Sequence, residues 1–272
     1  MTALGWRVER ACAAAWPAVA VVRVGDWAVA RSGGGTRRAN SASALGPKAM
    51  LDTATMAAID ALYAEAGLPT IVRVTALTPG ADAGLDAAGF APAEGATHTL
   101  MCEFLPGAGR GPGGGAGGMG RNGGHDRIPT GPRPWPGNGG REVVLTSAPD
   151  AAWVEVRRRL SLAEGRGADD QVAPALRLAV PAVFARIGDE AVAYAAIADR
   201  IAVVEAVAVD PGARRRGLAR TMLAALLARA HATGATHAAL QVTADNAPAI
   251  ALYRAFGFGH DLHDYHYRRR GR

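Results

Sequence analysis

Several residue types that mark specialised proteins are scarce in this chain. It has only two cysteines, Cys12 and Cys102, which form neither a C-x-x-C pair nor a set of cysteine and histidine ligands. We therefore expect two free, packed thiols and no metal site. Charged residues interrupt every apolar run among the first 33 residues, and no run is long enough to span a bilayer. The sequence thus predicts neither a signal peptide nor a membrane span, and we expect a cytoplasmic protein.

Lysine is almost absent, because Lys48 is the only one and arginine supplies the remaining positive charge. The formal net charge is +6, but five arginines lie in residues 106–141 and four more lie in residues 268–272, which leaves the rest slightly acidic. Aromatic residues, at 6%, are too few to be interleaved with these arginines as in a nucleic-acid-binding surface. We expect no membrane or nucleic-acid partner and leave a homodimer open.

Residues 106–140 are rich in glycine and proline and poor in aliphatic side chains, so they cannot repay the entropy of ordering. We interpret them as a flexible linker between residues 1–105 and 141–272, each long enough to bury a core. Apolar alternation and helical spacing predict a mixture of strands and helices in both parts. The predicted helices are 7–14, 51–66, 81–88, 149–162, a helix from about 217, and 247–255. The predicted strands are 37–45, 70–75, 97–104, 142–146, 201–210, 237–245 and 260–268, with hairpins around residues 25–26 and 188–189.

The most informative stretch is residues 201–233, where a strand, a basic turn and a helix follow one another. Asp210, Pro211 and Gly212 end the strand, and leucines at helical spacing begin the helix near Gly217. Between them stands Arg-Arg-Arg-Gly-Leu-Ala, residues 214–219. A helix start carries unpaired N–H groups and the positive end of the helix dipole, and small residues there leave the approach clear. The stretch therefore predicts a site for phosphate oxygens.

An internal repeat links the two parts of the chain. Residues 74–90 align without a gap on residues 242–258 at a constant offset of 168, and eight of the 17 positions are identical. The first copy has Thr78 and Leu85 where the second has Asn246 and Tyr253, and residues 46–49, Gly-Pro-Lys-Ala, replace the basic turn. We interpret the chain as a duplication whose first copy has lost catalysis.

Two motifs carry a resemblance to a known family. The pattern RxxGxA between a strand and a helix resembles the acyl-CoA pyrophosphate loop of the GNAT acetyltransferases, Q/R-x-x-G-x-G/A. Residues 245–258, DNAPAIALYRAFGF, resemble the last conserved block of that family, especially the N-x-x-A-x-x-L-Y-x-x-x-G-F arrangement of its N-terminal-alanine acetyltransferases. Together the motifs cover about the final half of the chain. The resemblance implies the α/β class (α+β mixed sheet), with tandem GNAT-like domains that are each a mixed, mostly antiparallel sheet flanked by helices.

The resemblance also implies roles for particular residues. Asn246 would bond the pantetheine arm of acetyl-CoA, Val207 and Val209 would offer backbone groups to it, and the Val207 N–H is a candidate oxyanion donor. Tyr253 would protonate the departing thiolate as a general acid, with plain packing as the alternative. The pyrophosphate would be held by the turn residues Arg214, Arg215, Arg216, Gly217, Leu218, Ala219 and Arg220.

Direct attack also needs a base that takes the proton from the acceptor amine. Glu205 is the first candidate, because it lies in an apolar strand on the same predicted face as Val207 and Val209; the alternative is a glutamate that only aids solubility. Related enzymes carry a carboxylate at the position of Gln241, which cannot act as a base.

Two further polar groups are open to two interpretations each. His260, His263 and His266 are predicted to share a face of the last strand, as a substrate wall or a solvated face. The other group, which either shapes the acceptor pocket or is an exposed loop, comprises Arg37, Arg38, Asn40 and Ser41.

The resemblance implies an N-acetyltransferase that uses acetyl-CoA and transfers the acetyl group to a primary amine by direct attack. The acceptor is a small molecule or a peptide N-terminus. Two alternatives stay open, namely a sensor that binds acyl-CoA without transferring it and an enzyme that acetylates a protein N-terminus. Residues 141–272 would be the catalytic domain, and residues 1–105 a degenerate GNAT-like domain packed against it.

Overall fold

The computed structural model describes residues 2–33, 35–93, 95–104, 127–128 and 142–270. Helices and strands alternate through both parts of the chain. The helices are α1 Thr2–Ala15, α2 Thr53–Glu65, α3 Ala81–Ala87, α4 Ala151–Ala163, α5 Ala168–Leu176, α6 Leu218–Ala232 and α7 Ala247–Ala255. The strands are β1 Ala20–Val24, β2 Trp27–Arg31, β3 Ala42–Ala44, β4 Ile71–Thr75, β5 Phe90–Pro92, β6 Thr97–Phe104, β7 Arg127–Ile128, β8 Val144–Thr146, β9 Ala182–Ile187, β10 Ala191–Ala198, β11 Ile201–Val209, β12 His237–Thr243 and β13 His260–Arg270.

All of these strands belong to one mixed, mostly antiparallel sheet. Its order is β1-β2-β3-β4-β13-β6-β12-β11-β10-β9-β8, with β5 added at β13 and β7 at β6. On the C-terminal side, one face of the sheet packs against α1 and α4, and the other face packs against α6 and α7. The N-terminal strands pack against α2 and α3 in a separate cluster that includes Trp27, Ile59 and Leu85.

The two parts of the chain exchange their last strands. Strand β6, from the N-terminal part, pairs along its length with β12, from Thr97 opposite Thr243 to Glu103 opposite His237. Strand β13, the last of the chain, pairs antiparallel with both β4 and β6. Each part thus supplies the strand that continues the sheet of the other. The mixed α/β architecture is confirmed, but the two parts share one continuous sheet.

Local patterns placed most elements correctly. The hairpin of β1 and β2 turns at Gly25 and Asp26, and α6 begins at Leu218 directly after Gly217. Both cysteines are buried and free, as predicted. The first helix begins earlier than predicted, and α5 and β5 were not predicted. Helix α5 contains Pro174 in its last turn, a residue that normally argues against a helix.

The predicted linker falls almost entirely outside the described residues. Of residues 106–140, the structure describes only Arg127–Ile128, whose backbone pairs with β6 in parallel as β7. None of the described helices is both long and apolar enough to cross a membrane.

Candidate active site

The candidate site is a cleft where strands β11 and β12 separate. Their parallel pairing runs from Ile201 opposite His237 to Val204 opposite Leu240 and ends there, although both strands continue. The divergence opens a cavity of about 820 Å³. The ends of both strands line it, through residues 204–207 on β11 and residues 241–246 on and after β12. A cleft between two diverging strands exposes backbone groups that would otherwise pair across the sheet.

A β-bulge in β11 changes which side chains face the cleft. The register with β10 shifts between Val192 and Tyr194, and Ala206 has a φ of 56°. One extra residue reverses the alternation of faces. Val207 and Val209 therefore pack on the α6 side, whereas Glu205 lies opposite Tyr194, a member of the core on the other face. The prediction that Glu205 shares a face with Val207 and Val209 is wrong, because simple alternation ignores the bulge.

Glu205 is held by a residue from the N-terminal part. Arg38 donates two hydrogen bonds to it, from Nη2 to Oε1 at 2.6 Å and from Nη1 to Oε2 at 2.9 Å. Glu205 is 7% exposed, and the Arg38 guanidinium also stacks over Trp16 at 5.3 Å. Burial disfavours the charge on Arg38, but the ion pair with Glu205 outweighs it and raises the arginine's pKa. The predicted base is therefore one half of a nearly buried, bidentate ion pair on the cavity wall.

Tyr253 reaches the cavity from α7 and is nearly buried. Its ring packs edge-on against Phe258 with 6.0 Å between centroids. Burial, helped by the negative charge of Glu205, raises the pKa of the phenol to about 12. The side chain is thus a neutral hydroxyl at ordinary pH and can donate a proton. At the equivalent place in the first copy, Leu85 is fully buried in the N-terminal core.

Asn246 also lines the cavity, but part of its side chain serves its own helix. Its Oδ1 accepts a hydrogen bond from the amide of Ala249 at 3.3 Å and so caps the start of α7. The predicted contact with a pantetheine arm would use the other side-chain group of Asn246, its Nδ2 amide.

The basic turn before α6 has the backbone shape of an anion site. Gly217 has a φ of 76° and Arg215 a φ of 65°, and the first turn of α6 contains no acidic residue. The arginine side chains turn to neighbours: Arg214 lies 3.5 Å from Glu164, and Arg216 lies 3.2 Å from Glu190. With these two guanidinium groups engaged, the main-chain N–H groups are the donors that the helix start itself offers an anion. None of residues 214–220 is among the described residues that line the 820 Å³ cavity.

A second buried ion pair joins α1 to β4 within the N-terminal part, with His263 of the C-terminal part beside it, and the sequence did not indicate it. Glu9 of α1 accepts hydrogen bonds from both terminal nitrogens of Arg73, one of them at 2.9 Å, and lies 2.7 Å from Nε2 of His263. Burial alone would raise the pKa of Glu9, but Arg73 and His263 outweigh it and hold that pKa well below its usual range. Gln241 joins this network at 3.4 Å from Glu9 and accepts a hydrogen bond from the hydroxyl of Tyr265.

The three histidines of β13 do not share a face, which corrects the prediction. His263 lies on the face of Glu9, whereas His266, three residues further along, points to the other face and lies 2.9 Å from Asp82 of α3, because successive side chains of a strand alternate between its faces. The bulge between Asp261 and His263 places only His260 and His263 on the same face, opposite Met101 and Thr99. His260 is exposed. Within the described part of the chain, no group of three or more histidine, cysteine or acidic side chains could hold a metal ion.

The polar group of residues 37–41 divides between the cavity and the core. Arg37 and Arg38 line the cavity, whereas Asn40 and Ser41 are buried. Asn40 accepts a hydrogen bond from the amide of Ser32 at 2.7 Å. Helices α4 and α5 and the segment that connects them also line the cavity, which the sequence did not indicate. Their lining residues are Arg157, Glu164, Arg166 and Gln171.

Family models match both parts of the chain. Residues 151–258 match the Acetyltransferase (GNAT) family, and residues 2–83 match the family described as Probable histone acetyltransferase Rv0428c C-terminal.

Two curated relatives match over shorter stretches. Streptothricin acetyltransferase of Streptomyces lavendulae is 38% identical over 96 residues, which cover 35% of this chain and 48% of the relative. The [ribosomal protein bS18]-alanine N-acetyltransferase of Salmonella typhimurium is 46% identical over 52 residues, which cover 19% of this chain and 35% of the relative. The chain thus spans less than half the length of each.

Solved structures share the whole fold. A GCN5-related N-acetyltransferase from Kribbella flavida superimposes with a TM-score of 0.66 and 18% identity, covering 100% of this chain and 96% of that one. A tandem GNAT protein from the clavulanic acid biosynthesis pathway gives a TM-score of 0.57 and 15% identity, covering 85% of this chain and 76% of that one. These likenesses establish the tandem architecture of the fold.

Proposed function

We propose that this chain, which belongs to the GNAT acetyltransferase family through residues 151–258, transfers an acetyl group from acetyl-CoA to a primary amine by direct attack. The observation that carries the proposal is the cleft between β11 and β12, with the neutral hydroxyl of Tyr253 on its wall. Acetyl-CoA would supply the acetyl group as a thioester. The acceptor amine and the thioester must meet within this cavity.

The residues around the cleft fit an acyl-CoA donor. The start of α6 offers main-chain N–H groups with no acidic side chain in the first turn to compete with a phosphate. Asn246, Val207 and Val209 would hold the arm that enters between the strands, and the Val207 N–H would stabilise the oxyanion.

Tyr253 is the proposed general acid. It would donate its proton to the departing thiolate, and its pKa of about 12 keeps that proton in place at neutral pH.

Glu205 is proposed to accept the proton of the amine, directly or through water. Arg38 fixes both of its oxygens, so its position on the cavity wall is defined.

The two parts of the chain would then have different roles. Residues 141–272 form the proposed catalytic domain, and residues 1–105 form a degenerate GNAT-like domain that shapes the acceptor side of the cavity through Trp16, Arg37 and Arg38. Leu85 and Thr78, at the positions of Tyr253 and Asn246, provide neither the phenol nor the amide of the second copy.

A panel of small amines and peptides, assayed for thiol release from acetyl-CoA, tests the activity. Release with any amine, lost in Gly217→Glu, supports the enzyme. The matched control is Gly25→Glu, which places the same side chain at another glycine of positive φ, in the hairpin of β1 and β2. Tight binding of acetyl-CoA without release across the panel would instead support a sensor.

Acetylation of a protein N-terminus is the second candidate. It is favoured by the 46% identity over 52 residues with the bS18-alanine N-acetyltransferase. Release with peptides beginning in alanine, and none with small amines, would select this function.

A further inference from the structure

Arg157 is a buried arginine on the wall of the cavity, and no carboxylate of the described residues pairs with it. It lies on the inner face of α4 and is 2% exposed. Among the described residues, its side chain has one hydrogen-bond acceptor, Oε1 of Gln171, at 2.8 Å from Nη2. Its Nε is buried and has no hydrogen-bond partner in the part of the chain that the structure describes. The guanidinium therefore brings a positive charge and unused donors to the edge of the cavity.

Other buried or partly buried arginines pair with a carboxylate. Arg38 pairs with Glu205, and Arg73 pairs with Glu9, each through two hydrogen bonds to one carboxylate. Arg268 likewise contacts Asp86. Burying a cation without a counter-charge destabilises a fold, so an uncompensated arginine at a cavity needs an explanation.

The surrounding charges confirm that compensation of Arg157 is incomplete. Burial lowers the pKa of Arg157 to about 10, although the negative charge of Glu164 opposes this. The carboxylate of Glu164 is itself shared between Arg166 at 3.7 Å and Arg214 at 3.5 Å. Arg157 is still protonated at neutral pH, and its charge remains available to a molecule in the cavity.

We propose that Arg157 and Gln171 bind an anionic oxygen group, a carboxylate or a phosphate, on the acceptor, so that the acceptor is an amine that also carries a negative charge. This assignment rests on the proposed acetyltransferase activity, because it places the anion in the same cavity as Tyr253. A guanidinium recognises such oxygen atoms through charge-assisted hydrogen bonds. The bound anion would supply the negative counter-charge that no described carboxylate provides to Arg157.

Matched pairs of acceptors test the proposal through their relative kcat/KM, corrected for the fraction of unprotonated amine. The pairs are glycine and glycinamide, alanylalanine and its amide, and phosphoethanolamine and ethanolamine. In the wild type, we expect the anionic member of at least one pair to be favoured about tenfold or more, as for a charged hydrogen bond. The first two pairs report a carboxylate and the third a phosphate. Ratios near one in all three pairs would overturn the proposal.

Two variants locate the preference at Arg157. Arg157→Gln removes the charge, and Gln171→Glu places a carboxylate 2.8 Å from the guanidinium, where it competes with the anion of the acceptor. Both should bring the ratio toward one, and Gln171→Glu should fold at least as well as the wild type because it completes an ion pair. The control is Arg158→Gln, which removes an exposed arginine of the same helix that pairs with Asp169. If both variants keep the wild-type ratio of kcat/KM between the anionic and the neutral acceptor, the proposal is contradicted.

A binding measurement separates failure of this proposal from failure of the enzymatic function. Inorganic phosphate should raise the thermal midpoint of the wild type more than that of Gln171→Glu, since a ligand stabilises the folded state that binds it. If no amine releases thiol, the enzymatic function fails, and this difference still supports an anion site at Arg157. Equal stabilisation of both proteins would remove the site.

Discussion

At the scale of single residues, two buried tyrosines differ in the surroundings of their hydroxyl groups. The hydroxyl of Tyr194 donates a hydrogen bond to the carbonyl of Ala15 at 2.7 Å and lies outside the cavity. The hydroxyl of Tyr253 bonds to no group among the described residues, and its side chain lines the cavity. A hydroxyl that lines a cavity and has no partner among the described residues is available to a molecule bound there.

Tyr253→Phe should therefore reduce turnover by about a hundredfold or more, the usual effect of losing a general acid, while the dissociation constant of acetyl-CoA stays unchanged. Thiol release and calorimetry measure the two quantities. Tyr194→Phe is the control: it should cost about 1 kcal/mol of stability through its lost hydrogen bond and leave turnover intact. Wild-type turnover in Tyr253→Phe would leave the tyrosine a packing residue.

Glu9 should make stability depend on pH in the acidic range. Its pKa is lowered in the folded protein, where Arg73 and His263 outweigh its burial. Its contribution is therefore complete above the unfolded pKa of about 4.3 and is lost as the pH falls toward the folded pKa. Glu9→Gln also leaves Arg73 buried without its partner, which should cost about 3–5 kcal/mol at pH 7.

Urea unfolding at pH 7 and at several acidic pH values measures this effect. The stability difference between the wild type and Glu9→Gln should shrink as the pH falls below the unfolded pKa. Glu155→Gln, which removes an exposed carboxylate on α4, should lose stability in parallel with the wild type. A difference that is constant with pH would contradict the role of Glu9.

At the scale of elements, the sequence predicted those structures that local signals determine. Alternation and the residues Gly25 and Asp26 were sufficient for the first hairpin, and helical leucines after Gly217 were sufficient for α6. No prediction was made for helix α5, which contains Pro174, a residue that normally argues against a helix, among its buried residues. The bulge at Ala206 has no signature in the sequence, so the faces of β11 beyond it were predicted wrongly.

The turn before α6 provides a test of backbone shape. Gly217 has a φ of 76°, a conformation that costs a residue with a Cβ about 1–2 kcal/mol. Gly217→Ala should therefore destabilise the protein by about that amount, measured by urea unfolding. It should also weaken acetyl-CoA binding, because the first amides of α6 shift with the turn.

Gly25→Ala is the matched control for this variant. Gly25 has a φ of 55° in the hairpin of β1 and β2, at the end of the sheet away from α6. We expect a comparable loss of stability with unchanged affinity for acetyl-CoA. Equal affinities in both variants and the wild type would show that the turn does not bind the coenzyme.

At the scale of the whole molecule, the sequence could not predict which elements meet. The partners of the two buried ion pairs, Arg38 with Glu205 and Glu9 with Arg73, are 167 and 64 residues apart. Periodicity specifies the type of an element and its buried face but not the neighbouring strand. The repeat at an offset of 168 indicated two similar halves, and nothing in it indicated that β6 and β13 would be exchanged.

The exchange of strands predicts that neither half of the chain folds alone. Residues 142–272 without β6 would leave the edge of β12 unpaired and separate it from β13, and residues 1–104 without β13 would lose the partner of β4. Exposed, unpaired edges favour aggregation. The two fragments expressed separately should therefore be unfolded or aggregated, as seen by circular dichroism and size-exclusion chromatography. Coexpression should recover a soluble complex of the two fragments without residues 105–141, because the strand pairing, the packing of α1 and the ion pair of Arg38 with Glu205 all lie within the two fragments. A cooperative thermal transition in either fragment alone would contradict this dependence. The catalytic assay, run on the C-terminal fragment alone and on the complex, shows whether turnover requires the fragment that brings Arg38 to Glu205.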